Sequence, residues 1–344
     1  MNLPSPDTAV SSHSSAMPRI PAQNASVVLR HGDIGFQDQF GARDVWVFES
    51  GGVYYMHYDA AGADGWLAAL ATSEDGVHWT KRGAVLDFGA SGSQDSASAS
   101  YGTTYFDGDR WHMFYLGTPN ATDDGLRTPS FPYMTLKAAA TDPAGPWTKQ
   151  PGVVPFRATG GTWYSDTASP GAIIRHDGEY IMFFSAATTD DNGQIWRTLG
   201  VARTGDLDAS WTVDPEPLLP LAEQIENSSL YFEESTGLWF LFTNHITHDP
   251  DASPVPPQNS AEFTDAVWVY WSYDPLAFSA DRRAVVIDAP ISGWSAKVIG
   301  LPSVVQVGDR LAIYFDGSPN DDISHGYRDI GVAWLELPLR IPNP

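Results

Sequence analysis

Short runs of alternating aromatic and smaller residues recur along the chain, and most of them follow a turn that contains Gly or Asp. The runs are rich in β-branched and aromatic residues, which favour strands, and the turns have the composition of tight hairpins. The five copies occupy residues 52–58, 109–115, 178–184, 237–243 and 309–315. A unit that repeats several times at such intervals is typical of a repeat architecture.

A second strand follows each copy, and in three copies it leads into a polar turn that ends in Trp79, Trp147 or Trp211. Strand, hairpin, strand, turn and outer strand together make one propeller blade. The fifth unit stops after its third strand, and residues 26–29 can supply the missing outer strand and remove the exposed edge. The sequence therefore predicts an all-β, five-bladed β-propeller as a single domain over residues 26–344, after a disordered N-terminal tail at residues 1–25.

Composition limits the classes of function. The chain has 19 basic and 42 acidic residues, a net charge of −23, and such a surface repels phosphate backbones and anionic lipids. We therefore expect no nucleic acid partner and no membrane partner, and no apolar run approaches the length of a membrane helix. The absence of cysteine excludes disulfides, a thiol nucleophile and a thiolate metal site. The first 25 residues lack the basic start and apolar core of a signal peptide, which leaves a cytoplasmic protein or one secreted after its signal was removed.

Acidic residues stand close to the start of four of the five innermost strands, which line the central channel of a propeller. They are Asp44, Asp95, Asp166 and Glu226. Each acid alone has an equally good structural explanation, because Asp is common in loops and repeats copy their turn residues. Four like charges that converge on one channel repel one another, and such an arrangement is costly unless it is used.

The openings of two blades resemble those of a known group of enzymes. Arg43-Asp44-Val-Trp-Val47 is similar to the Arg-Asp-Pro opening of five-bladed propellers of glycoside hydrolase family 43 and the related families 32 and 68, with Val in the Pro place. Glu226-Asn-Ser-Ser-Leu-Tyr231 is similar to their Glu-x-Pro strand, with Ser in the Pro place. In those families the Glu that acts as the general acid usually lies on the third blade, whereas Glu226 lies on the fourth.

This resemblance implies hydrolysis of a glycosidic bond by paired carboxyl groups. Glu226 is then the general acid and Asp44 the general base or nucleophile. Asp166 or Asp95 would hold sugar hydroxyls and keep Glu226 protonated by like-charge repulsion.

Further polar and aromatic residues are candidates for binding the substrate. They are Arg43, Trp163, His245, His325 and Arg328. Each also has a structural explanation, as a salt-bridge partner, a core ring or a buried histidine. The chemistry requires no cofactor and no metal ion, although an acidic channel could hold a structural Ca²⁺.

Three functions remain open on this evidence. The first is an exo-acting glycosidase on a neutral glycan, such as a furanoside or a pentoside. The second is a glycosyl-transferring enzyme or phosphorylase on the same fold, which the shortage of basic residues disfavours. The third is a carbohydrate-binding propeller without catalysis. The partner in all three is an oligosaccharide or glycoside, and the oligomeric state stays open.

Overall fold

The computed structural model describes residues 17–32, 35–246, 263–320 and 323–342. In these residues, 21 strands form five antiparallel blades. Blade 1 consists of β2 (Gly41–Ser50), β3 (Val53–Gly62), β4 (Gly65–Ser73) and β5 (Thr80–Ala84). Blade 2 consists of β6 (Ser98–Phe106), β7 (Trp111–Thr118), β8 (Met134–Ala140), β9 (Thr148–Lys149) and β10 (Phe156–Arg157). Blade 3 consists of β11 (Thr167–His176), β12 (Glu179–Thr189), β13 (Ile195–Thr204) and β14 (Thr212–Val213).

The last two blades complete the ring. Blade 4 consists of β15 (Ile225–Glu233), β16 (Leu238–His245), β17 (Ala266–Ser272) and β18 (Arg283–Ile287). Blade 5 consists of β19 (Ser303–Val307), β20 (Arg310–Gly317), β21 (Asp329–Glu336) and, as its outer strand, β1 (Gln23–Leu29). A 3-10 turn at Leu221–Glu223 and a one-turn helix, α1 (Ala289–Ser292), connect strands. Among the described residues, no helix is long and apolar enough to cross a membrane.

The N-terminal strand closes the propeller as the sequence predicts. Strand β1 pairs antiparallel with β21, with Ser26 opposite Val332 and Leu29 opposite Ile330. The disordered tail expected at residues 1–25 is wrong for residues 17–25. The backbone N–H groups of Ile20 and Ala22 donate to carbonyl oxygens of β18, which anchors this segment to blade 4 before it reaches blade 5. Residues 1–16 lie outside the described residues.

Five apolar clusters hold neighbouring blades together, one at each interface between blades. The Trp residues at the ends of the polar turns serve these interfaces, because each packs edge-on against the second strand of the preceding blade. Trp79 contacts Tyr314, Trp147 contacts His57, and Trp211 contacts Phe114, with ring centroids 5.4–5.7 Å apart. The repeated Trp therefore joins one blade to the next.

Each innermost strand carries one extra residue relative to the second strand of its blade. In blade 1, Arg43 lies opposite Asp59 but Trp46 lies opposite His57, so three steps along β2 match two steps along β3. The same shift follows Ala99, Ser169 and Glu226 in blades 2 to 4, and the bridge Ile299–Gly317 followed by the pair Ser303–Tyr314 gives it in blade 5. Such a β-bulge bends the strand and redirects its side chains. We call the residue before the shift the pre-bulge position.

Serine hydroxyls after the bulge connect neighbouring innermost strands. Ser229 of blade 4 accepts a hydrogen bond from the backbone N–H of Val304 (2.9 Å), and Ser303 of blade 5 accepts one from that of Val47 (2.8 Å). Part of the Ser-rich character of the blade openings is therefore structural.

Candidate active site

The pre-bulge residues of blades 1 and 4, Arg43 and Glu226, line a central cavity. It has a volume of about 230 Å³. Asp44 of blade 1 and Glu226 of blade 4 both line it, and both also line a smaller recess of about 70 Å³ beside it. The structure thus brings together the two carboxyl groups that the sequence predicts as a pair.

The bulge of blade 1 determines the position of Asp44. This residue has a φ of +46°, a left-handed conformation that is uncommon for residues other than glycine. Its backbone N–H donates to Oδ1 of Asp316 (3.0 Å), and Asp316, which is fully buried, also accepts a hydrogen bond from Nη1 of Arg328 (2.8 Å). The carboxylate of Asp44 accepts a hydrogen bond from Nε of Arg43 (2.9 Å). An ion pair in blade 5 therefore supports the strained backbone that carries Asp44.

Glu226 occupies the pre-bulge position of blade 4. Its Oε1 forms a salt bridge with Arg197 of β13, and its Oε2 accepts a hydrogen bond from Nδ2 of Asn244 (3.1 Å), the residue opposite it in the ladder. The side chain is 17% exposed, so the carboxyl group stays accessible from the cavity. Neither Arg197 nor Asn244 was singled out from the sequence as a partner of this group.

A third carboxyl group, that of Asp59, lines the same cavity. Asp59 lies opposite the pre-bulge residue Arg43, which binds the carboxylate of Asp44, and Asp59 and Asp44 line the same cavity. Oδ1 of Asp59 accepts the backbone N–H of Tyr101 in blade 2. Burial and the negative charge of Asp44 raise the pKa of Asp59 well above its usual range.

The pKa values of two tyrosines beside the cavity, the buried Tyr101 and the partly buried Tyr133, respond to the charges that meet there. Burial raises the pKa of Tyr101 well above its usual value, and the charges of Asp44, Asp59 and Glu226 raise it further. Burial also raises the pKa of Tyr133, with Asp44 and Glu226 adding to the effect while Arg43 and Arg197 oppose it. Both phenols are therefore neutral at physiological pH and can act there only as hydrogen-bonding groups.

Arg43 and His325 of the predicted binding residues line the cavity. The guanidinium of Arg43 lies over the ring of Trp66, 5.1 Å from its centroid, and Nη1 of Arg43 donates to Nδ1 of His325 (2.8 Å). Burial alone would lower the pKa of Arg43, but Asp44, Asp316 and Asp59 outweigh burial and raise it. A permanently charged Arg43 thus holds both the carboxylate of Asp44 and the ring of His325.

Arg328 lies behind the cavity wall instead of in it. It is buried beside Asp316, and its Nε donates to the carbonyl oxygen of Ser324 (2.8 Å). Burial, with repulsion from Arg43, lowers its pKa while Asp316 opposes both. The structure places this residue as a support for the backbone of Asp44, through Asp316, and not as a substrate contact.

Asp95 and Asp166 do not line the cavity, so the expected ring of four acids is wrong. They stand four and three residues before the pre-bulge residues Ala99 and Ser169, whereas Glu226 occupies such a position and Asp44 follows one directly. Asp95 accepts hydrogen bonds from Lys149, Tyr115 and Ser93. Burial alone would raise its pKa, but these partners lower it.

Asp166 belongs to the loop before blade 3. Its Oδ2 accepts a hydrogen bond from Oγ1 of Thr189 (2.6 Å), and its Oδ1 accepts one from Ser165 (3.2 Å). Its backbone carbonyl accepts the N–H of Tyr133, which places that ring beside the cavity. Asp166 is thus a loop residue whose side chain is engaged away from Glu226.

Trp163 and His245 are core residues of their blades. Trp163 is buried against Phe184, and its Nε1 donates to the carbonyl oxygen of Pro215 (2.9 Å). His245 is fully buried and stacks on Trp268 with ring centroids 3.5 Å apart. Trp163 lies in the turn before β11, where it packs into the core. His245 lies away from the cavity because alternate side chains of a strand point to opposite faces, and its neighbour Asn244 is the one that binds Glu226.

The connection between β7 and β8 forms one wall of the cavity. Thr122 and Asp124 line it, together with the segment from Thr128 to Phe131. Hydrogen bonds within the connection fix its shape, since Oγ1 of Thr122 and the backbone N–H groups of Leu126 and Arg127 donate to Asp124. Within the described residues, no group of three His, Asp or Glu side chains is arranged to hold a metal ion. The structural Ca²⁺ remains an untested prediction.

Comparison with known proteins supports the fold. No family model matches the sequence, and no curated protein matches it. Solved structures do match. A thermostable family-43 glycoside hydrolase aligns with a TM-score of 0.62 at 14% identity, over 90% of this chain and 97% of its own. The catalytic domain of a family 62 α-L-arabinofuranosidase from Coprinopsis cinerea gives 0.60 at 12%, over 93% and 97%.

A third match is an exo-1,5-α-L-arabinanase from a bovine ruminal metagenomic library, with a TM-score of 0.57 at 14% identity, over 87% of this chain and 95% of its own. Identities this low show a shared fold and leave the activity of this chain to its own residues. The predicted resemblance to the propellers of glycoside hydrolases is thereby confirmed for the fold.

Proposed function

We propose that this protein hydrolyses glycosidic bonds, with Glu226 as the general acid and Asp44 as the general base or nucleophile. The observation that carries the proposal is that both carboxyl groups, from blades 1 and 4, open onto one central cavity. A pair of carboxyl groups that flanks a scissile bond is what glycoside hydrolysis requires. In the reaction, Glu226 protonates the leaving oxygen while Asp44 attacks the anomeric carbon or removes a proton from water.

The partners of each carboxyl group hold it in a fixed position. Arg43 orients Asp44 from one side, and the bulge holds its backbone in place. In blade 4, Glu226 accepts a hydrogen bond from Asn244 and forms a salt bridge with Arg197. Positioning of this kind is the main contribution that a rigid scaffold makes to proton transfer.

The size of the cavity favours exo action. Ligand sites for drug-sized molecules have about 300–1,000 Å³, and the cavity has about 230 Å³, which suits a single sugar unit. The wall formed by the connection between β7 and β8 supports a pocket instead of an open cleft. Arg43 and Arg197 are both paired with carboxylates of the protein, so we propose a neutral sugar as the substrate.

The structural matches suggest where to begin the substrate search. Two of them are named for acting on arabinofuranosides or arabinan, and we propose a furanoside or pentoside at the end of a glycan as the substrate. A panel of aryl α- and β-glycosides of arabinofuranose, arabinopyranose, xylose and galactose, beside arabino- and galacto-oligosaccharides, tests this choice.

The decisive experiment compares Glu226→Gln and Asp44→Asn on substrates with good and poor leaving groups. Each variant should lose about a hundredfold or more in kcat, since positioned proton transfer contributes about 10²–10⁴. The Glu226→Gln protein should recover partly on aryl glycosides with acidic leaving groups, which need little protonation. The Asp44→Asn protein should not recover in this way.

Asp166→Asn is the matched control, because it makes the same change outside the cavity and should leave kcat near the wild-type value. Thermal melts confirm that all three variants are folded. Full activity of folded Glu226→Gln would refute the acid assignment. Glycan binding without any turnover by the wild type would instead favour the carbohydrate-binding propeller, and turnover that depends on added phosphate would favour a phosphorylase.

A further inference from the structure

We propose that Asp59 is a positioning residue that keeps its proton at neutral pH and donates it in a hydrogen bond to the carboxylate of Asp44. Its role in turnover rests on the proposed glycosidase activity, whereas the presence of the proton does not. The sequence offered no reason to select Asp59, which stands inside a strand between Tyr58 and Ala60.

Two carboxyl groups meet at one side of the cavity. Asp44 and Asp59 both line it, and Asp59 lies opposite Arg43, the residue that binds Asp44. Two ionised carboxylates repel each other and can only accept hydrogen bonds, so this arrangement favours a proton on one of them. The question is therefore which of the two carries the proton.

The surroundings of the two groups assign the proton to Asp59. Asp44 forms a salt bridge with Nε of Arg43 at 2.9 Å, and its side chain is 15% exposed to water. Asp59 is 3% exposed, and its Oδ1 accepts the backbone N–H of Tyr101. Charge is more stable on the group that has the cation and the water, so Asp44 is the carboxylate and Asp59 the acid.

The charged and titratable groups around Asp59 agree with this assignment. Asp44 and Arg43 face it from β2, and Tyr101 faces it from β6. Burial is the largest influence on Asp59 and raises its pKa, the charge of Asp44 raises it further, and Tyr101 and Arg43 only partly oppose them. The proton then serves Asp44, because a second donor beside Arg43 fixes the direction of the carboxylate oxygens.

Infrared difference spectroscopy tests the proton directly. A protonated carboxyl group has a carbonyl band apart from the amide and carboxylate bands. The spectrum of wild type minus Asp59→Asn at pH 7 should show one such band, which shifts in D₂O. Asn keeps the size of the side chain, donates to Asp44 and accepts from Tyr101, so this variant should fold.

Two further variants make the spectroscopic test specific. Asp95→Asn is the matched control, since Asp95 is also buried but its partners lower its pKa, and the corresponding difference spectrum should contain no carboxylic acid band. In Asp44→Asn the band should change position, because burial still favours the protonated form of Asp59 but the acceptor of its proton is no longer a carboxylate. A missing band in the first spectrum, or a band at an unchanged position in Asp44→Asn, overturns the proposal.

Kinetics test the positioning role. Asp59→Asn should keep kcat/KM within a few-fold, because the amide replaces the donor. Asp59→Leu should lower kcat/KM by about tenfold or more, the scale of a lost hydrogen bond to a charged group. The recovery in Asp59→Asn relative to Asp59→Leu then identifies the hydrogen-bond donor, and not the packing of the site, as the cause. An unchanged rate in folded Asp59→Leu would overturn the positioning role.

The two kinds of measurement separate this proposal from the proposed function. If the wild type hydrolyses no glycoside but the carboxylic acid band behaves as described, the proton assignment stands and the glycosidase proposal fails. If the wild type is active and the band is missing, the glycosidase proposal stands and the role of Asp59 fails.

Discussion

His57 should make the stability of the protein depend on pH in the mildly acidic range. It is fully buried at the interface of blades 1 and 2, with its ring edge-on to Trp147 (5.7 Å) and Phe48 (5.8 Å). Burial lowers its pKa from 6.5 to about 3, and an interaction with the backbone of Gly102 opposes this only weakly. Between about pH 3 and pH 6.5, the ring is therefore neutral in the folded protein and charged in the unfolded chain.

The direction and size of the effect follow from proton linkage. Burying the neutral ring of His57 contributes to the free energy of unfolding. Because the pKa of His57 is lower in the folded state, this stabilisation is fully present above pH 6.5 and is lost as the pH falls towards 3. Each pH unit in this window costs about 1.4 kcal/mol. At pH 5 the free energy of unfolding should be lower by about 2 kcal/mol than at neutral pH on account of this one group.

His57→Phe tests the reasoning, since it keeps an aromatic ring against Trp147 and Phe48 and removes the titration. Urea unfolding followed by Trp fluorescence at pH 7.5 and pH 5 gives the free energy of unfolding of each protein. The wild type should lose about 2 kcal/mol more than the variant between these two values. A constant offset from the change in ring size cancels in this comparison.

His176→Gln is the control, because His176 lies in a hairpin turn and is partly exposed. It should keep the pH dependence of the wild type. Parallel pH dependences for the wild type and His57→Phe would refute the argument. The result also matters for activity measurements, because the acid limb of a pH profile reports on catalysis only where the protein is still folded.

Two further predictions concern the scaffold. Gly300→Ala should lower both stability and kcat, because a Cβ there would lie 2.1 Å from Oδ1 of Asp316, the acceptor for the backbone of Asp44. Gly152→Ala, with nothing within 4 Å of the added atom, should change neither in a thermal melt and rate assay. A chain that starts at Arg30 should lack β1, expose the edge of β21 and aggregate or melt at lower temperature by light scattering and calorimetry; an unchanged melt would show that β1 is dispensable.

The repeat made the blade number and the closure predictable, because both depend on local patterns. Alternating strands and tight turns are visible in sequence, and the incomplete fifth unit needs a partner strand. The hairpin at Asp177-Gly178, for example, has positive φ at both residues, as a type I′ turn requires. The interface role of the repeated Trp was not visible, since it depends on which blade follows which in space.

The sequence predicted a site residue correctly only where its position could be found without knowing how the strands pair. Asp44 and Glu226 lie at or next to a pre-bulge position, so their place at the start of a strand sufficed. The prediction failed for Asp95 and Asp166 because closeness to the start of a strand does not make two residues equivalent, and the bulge determines equivalence instead. Asp59 and Arg197 could be recognised only through their partners, since each lies within a strand whose neighbours are core residues.

The five bulges define one equivalent position in each blade. Each bulge recurs at the same point of its blade, so the pre-bulge residues correspond to one another in strand register. Two of these positions hold the charged residues Arg43 and Glu226, and two others hold the small residues Ala99 and Ser169. Ala99 belongs to the apolar cluster between blades 1 and 2, and Ile299 belongs to the cluster between blades 4 and 5, whereas Ser169 lines the recess beside the cavity. A change of specificity in this scaffold, whether by evolution or by engineering, can therefore proceed by exchanging Ser169 while the apolar clusters that hold the ring together stay intact.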